Sequence, residues 1–190
     1  MNYFTSDWHI NDDRFGTNGT IDVMMRPVKS AQENIALILK GLLNTPFEEG
    51  DILWMIGDTA TKYDNNVKDF FVTLRAEFPF LKINLVRGNY DDKFPKVEQY
   101  FDNVYDSKTI ELGKFQVLLN HYPTKCNETM SKNKKIDFAL FGHIHSLCKV
   151  KNKKLNVGVD VWNYKPISEE KVLFTFEAML KHYDEDVYCE

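Results

Sequence analysis

Phe138-Ala139-Leu140-Phe141-Gly142-His143-Ile144-His145 is four apolar residues, a glycine, and two histidines one residue apart. Four apolar residues ending at a glycine read as a buried strand rather than a helix. The glycine permits a sharp exit. In extended chain alternate side chains share a side, so His143 and His145 face the same way. The same grammar recurs upstream. Asn2–Ser6 reads as a strand and runs into Asp7-Trp8-His9. Ile52–Ile56 ends at Gly57-Asp58, and Lys82–Arg87 at Gly88-Asn89-Tyr90-Asp91. Phe115–Asn120 ends at His121-Tyr122-Pro123. Four of the five histidines lie at such strand ends, and only His182 lies elsewhere.

Helical patterns separate the early strands. Ala31–Asn44 carries Ile35, Ile38, Leu39 and Leu42 at helical spacing, with Ser30 as an N-cap. Asn66–Glu77 reads as a second helix with Pro79 just beyond it, and Phe94–Phe101 as a short one. Later the pattern turns to hairpins. Val104–Leu112 and Phe115–Asn120 join at Gly113-Lys114, and Leu147–Lys151 and Lys154–Val159 join across Asn152-Lys153. Ser168–Lys181 suits a closing helix, although Val172–Phe176 within it would also suit a strand. Strand–helix alternation followed by hairpins predicts an α/β layered fold with a mixed sheet. Sites in such sheets sit at the carboxyl ends of strands, where these polar motifs fall.

Bulk properties narrow the class. The chain has 190 residues, of which 43% are hydrophobic, which suits one domain spanning 1–190. A net charge of -4 is not the footprint of a dedicated nucleic-acid binder, although bound cations would change the local balance. No apolar stretch would span a bilayer, and no basic segment with a long apolar run opens the chain. Cys126, Cys148 and Cys189 resemble neither a disulfide framework nor a metal knuckle. Cys126 and Cys148 read as passive thiols. A soluble cytoplasmic protein with no membrane association is expected.

Carboxylates and neutral imidazoles together suit borderline divalent ions such as Mn, Fe, Co, Ni and Zn. Taken singly each motif has an ordinary explanation. Asp7 or Asp58 could cap a helix, Asn89 could shape a turn, and His121 could be a hydrogen-bonded strand-end histidine. Five such motifs at successive strand ends point instead to a metal centre.

The ordered set Asp-x-His, Gly-Asp, Gly-Asn-x-Asp, His and Gly-His-x-His resembles the calcineurin-like metallophosphoesterase superfamily. Asn120-His121-Tyr122-Pro123 and Asn156-Val157-Gly158-Val159-Asp160-Val161-Trp162-Asn163-Tyr164 are similar to a compact prokaryotic and phage phosphoesterase branch. The resemblance implies a four-layer sandwich of two mixed β-sheets flanked by helices. It implies one metal on Asp7, His9 and His145, a second on Asn89, His121 and His143, and Asp58 bridging both. Manganese is the first expectation, with Fe, Ni, Co or Zn as alternatives. The implied chemistry is attack of a metal-bridging hydroxide on a phosphodiester or phosphoanhydride. The implied catalytic set is Asp58, Asn89, Tyr90, Asp91 and His143, with Arg26, Asn89 and His143 at a small phosphorylated or nucleotide-like substrate. An oligonucleotide stays among the alternatives.

One position departs from the family pattern. Where relatives often carry a histidine that protonates the leaving oxygen, this chain has Tyr90. A phenol is a weaker acid than imidazolium, which favours substrates with acidic leaving groups over alkyl monoesters. Tyr90 could equally be a pocket wall. Arg26 could hold a phosphate through a bidentate fork or be a salt-bridge arginine; Arg87 fits the salt bridge better. Trp8 and Tyr122 could stack on a base, but packing suits them better. The lysines flanking Gly142–His145 read as solvated loop faces. A non-catalytic scaffold on the same fold is the second functional reading; the intact ligand set speaks against it.

Overall fold

The computed structural model describes residues 1–15 and 26–182. Two five-stranded sheets face each other. The first contains β1 (Asn2–Thr5), β2 (Ile52–Met55), β3 (Lys82–Val86) and β4 (Asn103–Tyr105), all parallel. β10 (Ile167–Ser168) is antiparallel on its outer edge against β1. The second has the order β5 (Lys108–Leu112), β6 (Phe115–Leu119), β7 (Phe138–Phe141), β9 (Lys154–Asn156) and β8 (Val150–Lys151). Its centre, β6–β7–β9, is parallel, and antiparallel hairpins close both edges. The expected sandwich of two mixed sheets flanked by helices is the observed architecture.

Strand periodicity assigns the layers. Phe4, Trp54 and Ile56 point inward to meet Val117, Leu119, Phe138 and Leu140 of the opposite sheet. Their neighbours Tyr3, Leu53 and Met55 point outward, under α1 (Ala31–Leu43) and α2 (Asn65–Glu77), against Ile38, Leu42, Phe70 and Phe71. On the far side Leu118, Ala139 and Phe141 meet Cys126 of α4 (Pro123–Lys132). α5 (Glu169–His182) inserts Val172 and Phe176 between the sheets, with Phe176 stacked on Phe138 at 4.0 Å between ring centres. Helix is therefore the outcome at this segment.

Several boundaries differ from expectation. The run 104–112 is not one strand: β4 ends one sheet and β5 begins the other, with Asp106-Ser107 between them. The segment 94–101 is 3-10 rather than α-helical over Pro95–Tyr100. The hairpin at Asn152-Lys153 forms with both residues at positive φ (49° and 58°), the geometry of a two-residue turn of the primed type. Ser30 caps α1 by accepting from the Glu33 amide. Among the described residues, no helix is long and apolar enough to cross a membrane.

Candidate metal centre

The site lies where the parallel strands of both sheets end. The loop after β1 runs beside the loop after β2: the Asp7, His9 and Ile10 amides donate to the Gly57, Asp58 and Thr59 carbonyls at 3.0, 3.0 and 2.9 Å. The Val159 amide donates to the Ser6 carbonyl at 3.1 Å, tying the first sheet to the end of β9. Gly57, at φ 83°, lies against the His121 ring, where a Cβ would collide. A Cβ at Gly142 would likewise collide with Ser6 and Asp7.

These loops gather two groups of ligand atoms. Asp7, His9 and His145 form one, and Asp58, His121 and His143 the other; within each group the candidate atoms lie within 4.8 Å of one another. Asp58 connects them, with Oδ2 3.6 Å from His9 Nε2 and 3.4 Å from His121 Nε2. Its other oxygen accepts the Tyr90 amide at 3.0 Å. His143 stands exposed at the mouth and its amide donates to both Asp7 oxygens, at 3.0 and 3.1 Å.

Local hydrogen bonds fix two imidazole tautomers. His121 Nδ1 lies 2.8 Å from the Ile56 carbonyl, which can only accept, so this nitrogen carries the proton and Nε2 faces the centre. His145 Nδ1 lies 3.0 Å from Asp160 Oδ2, which likewise leaves Nε2 for the centre.

The donor set fits divalent cations. Buried polar atoms normally have partners, and leaving one unsatisfied costs about 1–3 kcal/mol. Among the described residues six buried side-chain atoms lack a hydrogen-bond partner, and four are here: His9 Nδ1 and Nε2, Asn89 Oδ1 and His121 Nε2. They surround the buried carboxylates of Asp7 and Asp58. Burial raises the Asp7 pKa. Burial, and then the charge of Arg26, drive His9 well below the usual imidazole range. Burial also works to lower His121, but its close contact with Asp58 and the charges of Asp7 and Asp58 prevail and raise it to about 9. A cation ligated by His121 therefore competes with a proton.

Other expected site residues are placed differently. Arg26 does not face the mouth. Its side chain is 1% exposed and all five of its N–H groups are engaged. Two go to Asp160, at 2.7 and 2.9 Å. The others go to the Trp8 carbonyl, Asn34 Oδ1 and the Asp7 carbonyl. No donor remains for a phosphate, which corrects its expected substrate role. Burial opposes its charge, and Asp160 sustains it.

Asp91, expected in the catalytic set, is fully buried and accepts the Asp58, Thr59 and Gly88 amides at 2.8, 3.1 and 2.8 Å. It positions the two loops that carry Asp58 and Asn89 rather than facing a substrate. Trp8 is core, 1% exposed, with its indole N–H on Thr5 Oγ1. Arg87 pairs with Glu98 and Asp106, as a salt-bridge arginine should. Tyr90 stands edge-on to His9 with ring centres 5.1 Å apart, and Tyr122 takes the same relation to His121 at 5.0 Å. Cys126 is a buried free thiol, as the passive-thiol reading has it.

Sequence reasoning assigned no role to Asp160 or Asp12. Asp160 is a lone carboxylate in the apolar run Val159–Val161, an available sign of a buried partner. Asp12 is buried behind His9, with Oδ2 3.9 Å from Nδ1.

Two facing mixed sheets with metal-competent loops at their strand ends define the class of this protein. The model of the calcineurin-like phosphoesterase superfamily domain matches residues 32–164, and the chain belongs to that superfamily. An uncharacterized protein of Methanocaldococcus jannaschii is 25% identical over 177 residues, covering 88% of this chain and 89% of its own length. A solved protein of unknown function from Aquifex aeolicus is also 25% identical, with a TM-score of 0.68 over 92% of this chain and 98% of its own. A structure described as a novel archaeal phosphodiesterase is 16% identical, with a TM-score of 0.48 over 83% of this chain and 81% of its own. At that level of likeness neither substrate nor mechanism transfers.

Proposed function

We propose that the chain hydrolyses a phosphodiester or phosphoanhydride bond of a nucleotide-like substrate at a centre of two divalent cations, manganese first. The observation that carries this reading is Asp58 Oδ2, set between His9 Nε2 at 3.6 Å and His121 Nε2 at 3.4 Å, so that one carboxylate joins two ligand groups. Asp7, His9 and His145 would hold one ion and Asn89, His121 and His143 the other, with Asp58 shared. Bound there, divalent ions supply Lewis acidity, which makes water nucleophilic near neutral pH and offsets charge on phosphoryl oxygens.

The chain's own groups do the rest. Asp91 and the Asp58–Tyr90 hydrogen bond hold the loops in register. Asp160 and the Ile56 carbonyl keep the His145 and His121 lone pairs pointed at the centre. His143, exposed at the mouth, is the candidate ligand best placed to meet a substrate oxygen as well. Tyr90 borders the group of His9 and is a poor proton donor compared with a histidine, which favours leaving groups that need no acid.

The test strips the protein of metal, restores Mn, Ni, Zn or Mg in turn, and assays an aryl phosphate monoester, an aryl phosphodiester and a dinucleoside polyphosphate in parallel. Metal-restored turnover greatest on the diester or the polyphosphate is expected. Turnover of none of the three under any metal overturns the reading, and turnover confined to the monoester overturns the substrate assignment.

A further inference from the structure

The charge of the chain is segregated. From Lys108 to Lys154, which spans β5 to the start of β9, ten lysines stand against Glu111, Glu128 and Asp137. That is a surplus of seven positive charges in a chain whose net charge is -4. Two of the three acids are engaged locally: Glu111 accepts from the Gln116 side chain and Asp137 from the Gln116 amide, each at 2.8 Å. The helices outside the first sheet carry no such surplus. Glu33 faces Lys40 in number on α1, and Asp69 and Glu77 match Lys68 and Arg75 on α2. On α3 (Asn89–Lys93), the lone lysine is offset by Asp91 and Asp92.

The free lysines share one face, and that face starts at the mouth of the centre. α4 covers the outside of the second sheet through Cys126. Lys125 and Lys132 are two turns apart on it, so they point the same way about 10 Å from each other. Lys134 and Lys135 follow its C-terminus, both exposed. Lys154 is buried and donates to Asn127 Oδ1, so its side chain points to α4. Lys151 is directly opposite Lys154 in the β8–β9 pair, and opposite residues share a side of the sheet. Exposed Lys151 therefore stands on the α4 side too. Among the described residues, Lys125, Lys132, Lys134, Lys135 and Lys151 form no ion pair. Lys125 Nζ lies 4.3 Å from the centre of the half-buried Tyr122 ring, and that ring lies 5.1 Å from the ring of exposed His143.

We propose that this α4 face binds the backbone of a single-stranded oligonucleotide whose scissile phosphodiester lies at the centre. The inference rests on the phosphohydrolase reading and deepens it, by naming a nucleic-acid strand as the substrate class. Ammonium groups meet phosphates as point charges, which gives affinity without sequence preference. A phosphodiester polymer presents both the charge that these lysines neutralise and the bond that the centre cuts. A single strand can turn from the mouth onto α4 and stack a base on Tyr122, whereas a duplex is stiff over that distance. The lysines hold the strand and take no part in the bond change.

The test reads binding by fluorescence anisotropy, so it does not depend on turnover. The probe is a labelled phosphorothioate oligothymidylate of about twelve nucleotides, whose backbone resists hydrolysis, on the manganese-loaded protein. Single strands lose affinity with a logarithmic salt slope of about 0.7 per phosphate neutralised. With Lys125, Lys132, Lys134 and Lys135 engaged, raising salt from about 50 to about 200 mM should weaken binding about fiftyfold. In the triple variant Lys132→Gln, Lys134→Gln, Lys135→Gln the same change should weaken it only about threefold. The triple variant Lys40→Gln, Lys68→Gln, Lys82→Gln alters net charge equally on the other half of the molecule and should behave as wild type. Turnover of an aryl phosphodiester should stay within about twofold in both variants. Equal loss of salt dependence in the two variants overturns the surface, as does wild-type binding that salt does not weaken. A duplex bound as tightly as the single strand overturns the choice of strand. Binding of phosphatidylserine vesicles without binding of the oligonucleotide assigns the face to a membrane and overturns the proposal. Failure of metal-restored turnover with oligonucleotide binding intact would sink the hydrolase reading and leave the surface standing; absent binding with aryl turnover intact would do the reverse.

Discussion

Replacing Arg26 with methionine separates its two possible roles. An arginine at the mouth would leave at little structural cost, and its loss would appear as weaker substrate binding. The observed Arg26 is 1% exposed and the Asp160 it pairs with is 0% exposed. Removing one partner of a buried ion pair typically costs about 3–5 kcal/mol, because the other charge stays behind. The Asp7 and Trp8 carbonyls and Asn34 Oδ1 also lose a donor. Asp160 keeps its contact with His145, which softens the loss and keeps the total within that range. With a urea slope of about 2 kcal/mol/M for a domain of this size, the unfolding midpoint should fall by roughly 2 M with the slope unchanged. Arg26→Lys should recover only part of this, since an ammonium cannot span the carboxylate and the two carbonyls together. Arg87→Met is the control. Its partners are Glu98 and the 88%-exposed Asp106, so the midpoint should move by less than about 0.5 M. An Arg26→Met midpoint within about 0.5 M of wild type, the most that loss of an exposed salt bridge should cost, would refute the assignment of Arg26 to the scaffold of the site.

Asp58→Asn should lower metal-restored turnover by more than about a hundredfold while circular dichroism stays native, because the residue joins both ligand groups; undiminished turnover would count against the two-metal assignment. Tyr90→His should raise activity on an alkyl phosphate monoester more than on an aryl one, read as the ratio of kcat/KM values, and an unchanged ratio would show that leaving-group protonation does not depend on this position. Burial opposes ionisation of Asp160, yet Arg26 and His145 bring its pKa below the ordinary 3.8. A depressed carboxylate contributes stability that is complete above its unfolded pKa and is lost as pH falls through the folded one. The wild-type urea midpoint should therefore drop below about pH 4 more steeply than that of Asp160→Asn. Burial pushes the Cys126 thiol up to about 12, so iodoacetamide at pH 8 should label it only after denaturation, as mass spectrometry would show.

The candidate ligands were legible in the sequence because each follows a short apolar run, and the carboxyl ends of parallel strands collect in one place whatever the loops do. Strand–helix alternation followed by hairpins made a layered fold with a mixed sheet legible, and the second facing sheet came only from the family resemblance. What failed depended on partners distant in sequence. Arg26 and Asp160 are 134 residues apart, and no local pattern distinguishes a fork closed on a buried carboxylate from one open to phosphate. The run 104–112 read as one strand because no glycine or proline interrupts it between Val104 and Leu112; the polar break at Asp106-Ser107 is where the chain changes sheets. α4 escaped notice because it buries only Cys126, too little for a helical period to show. The sign that it left was Pro123 at its first turn.

Backbone conformation bears on whether this centre is used or is a relic on a scaffold. Ten described residues other than glycine have positive φ, and five of them are candidate ligands: Asp7 (59°), His9 (46°), Asp58 (59°), His143 (75°) and His145 (50°). For an L-residue the left-handed region costs on the order of 1–2 kcal/mol, and glycine would occupy it without that cost. The same loops do use glycine, at Gly57 (φ 83°), where the His121 ring leaves no room for a Cβ. Where space permits a side chain, the chain instead carries a carboxylate or an imidazole. All of them but His143 are buried, beside unpartnered His9, His121 and Asn89 atoms, which adds a desolvation cost to the conformational one. A scaffold of this shape would be more stable with glycine in the loops and apolar side chains at the centre. Strain and unsatisfied polarity meet at the same few residues, and a bound divalent cation offsets both, which supports a centre kept for chemistry.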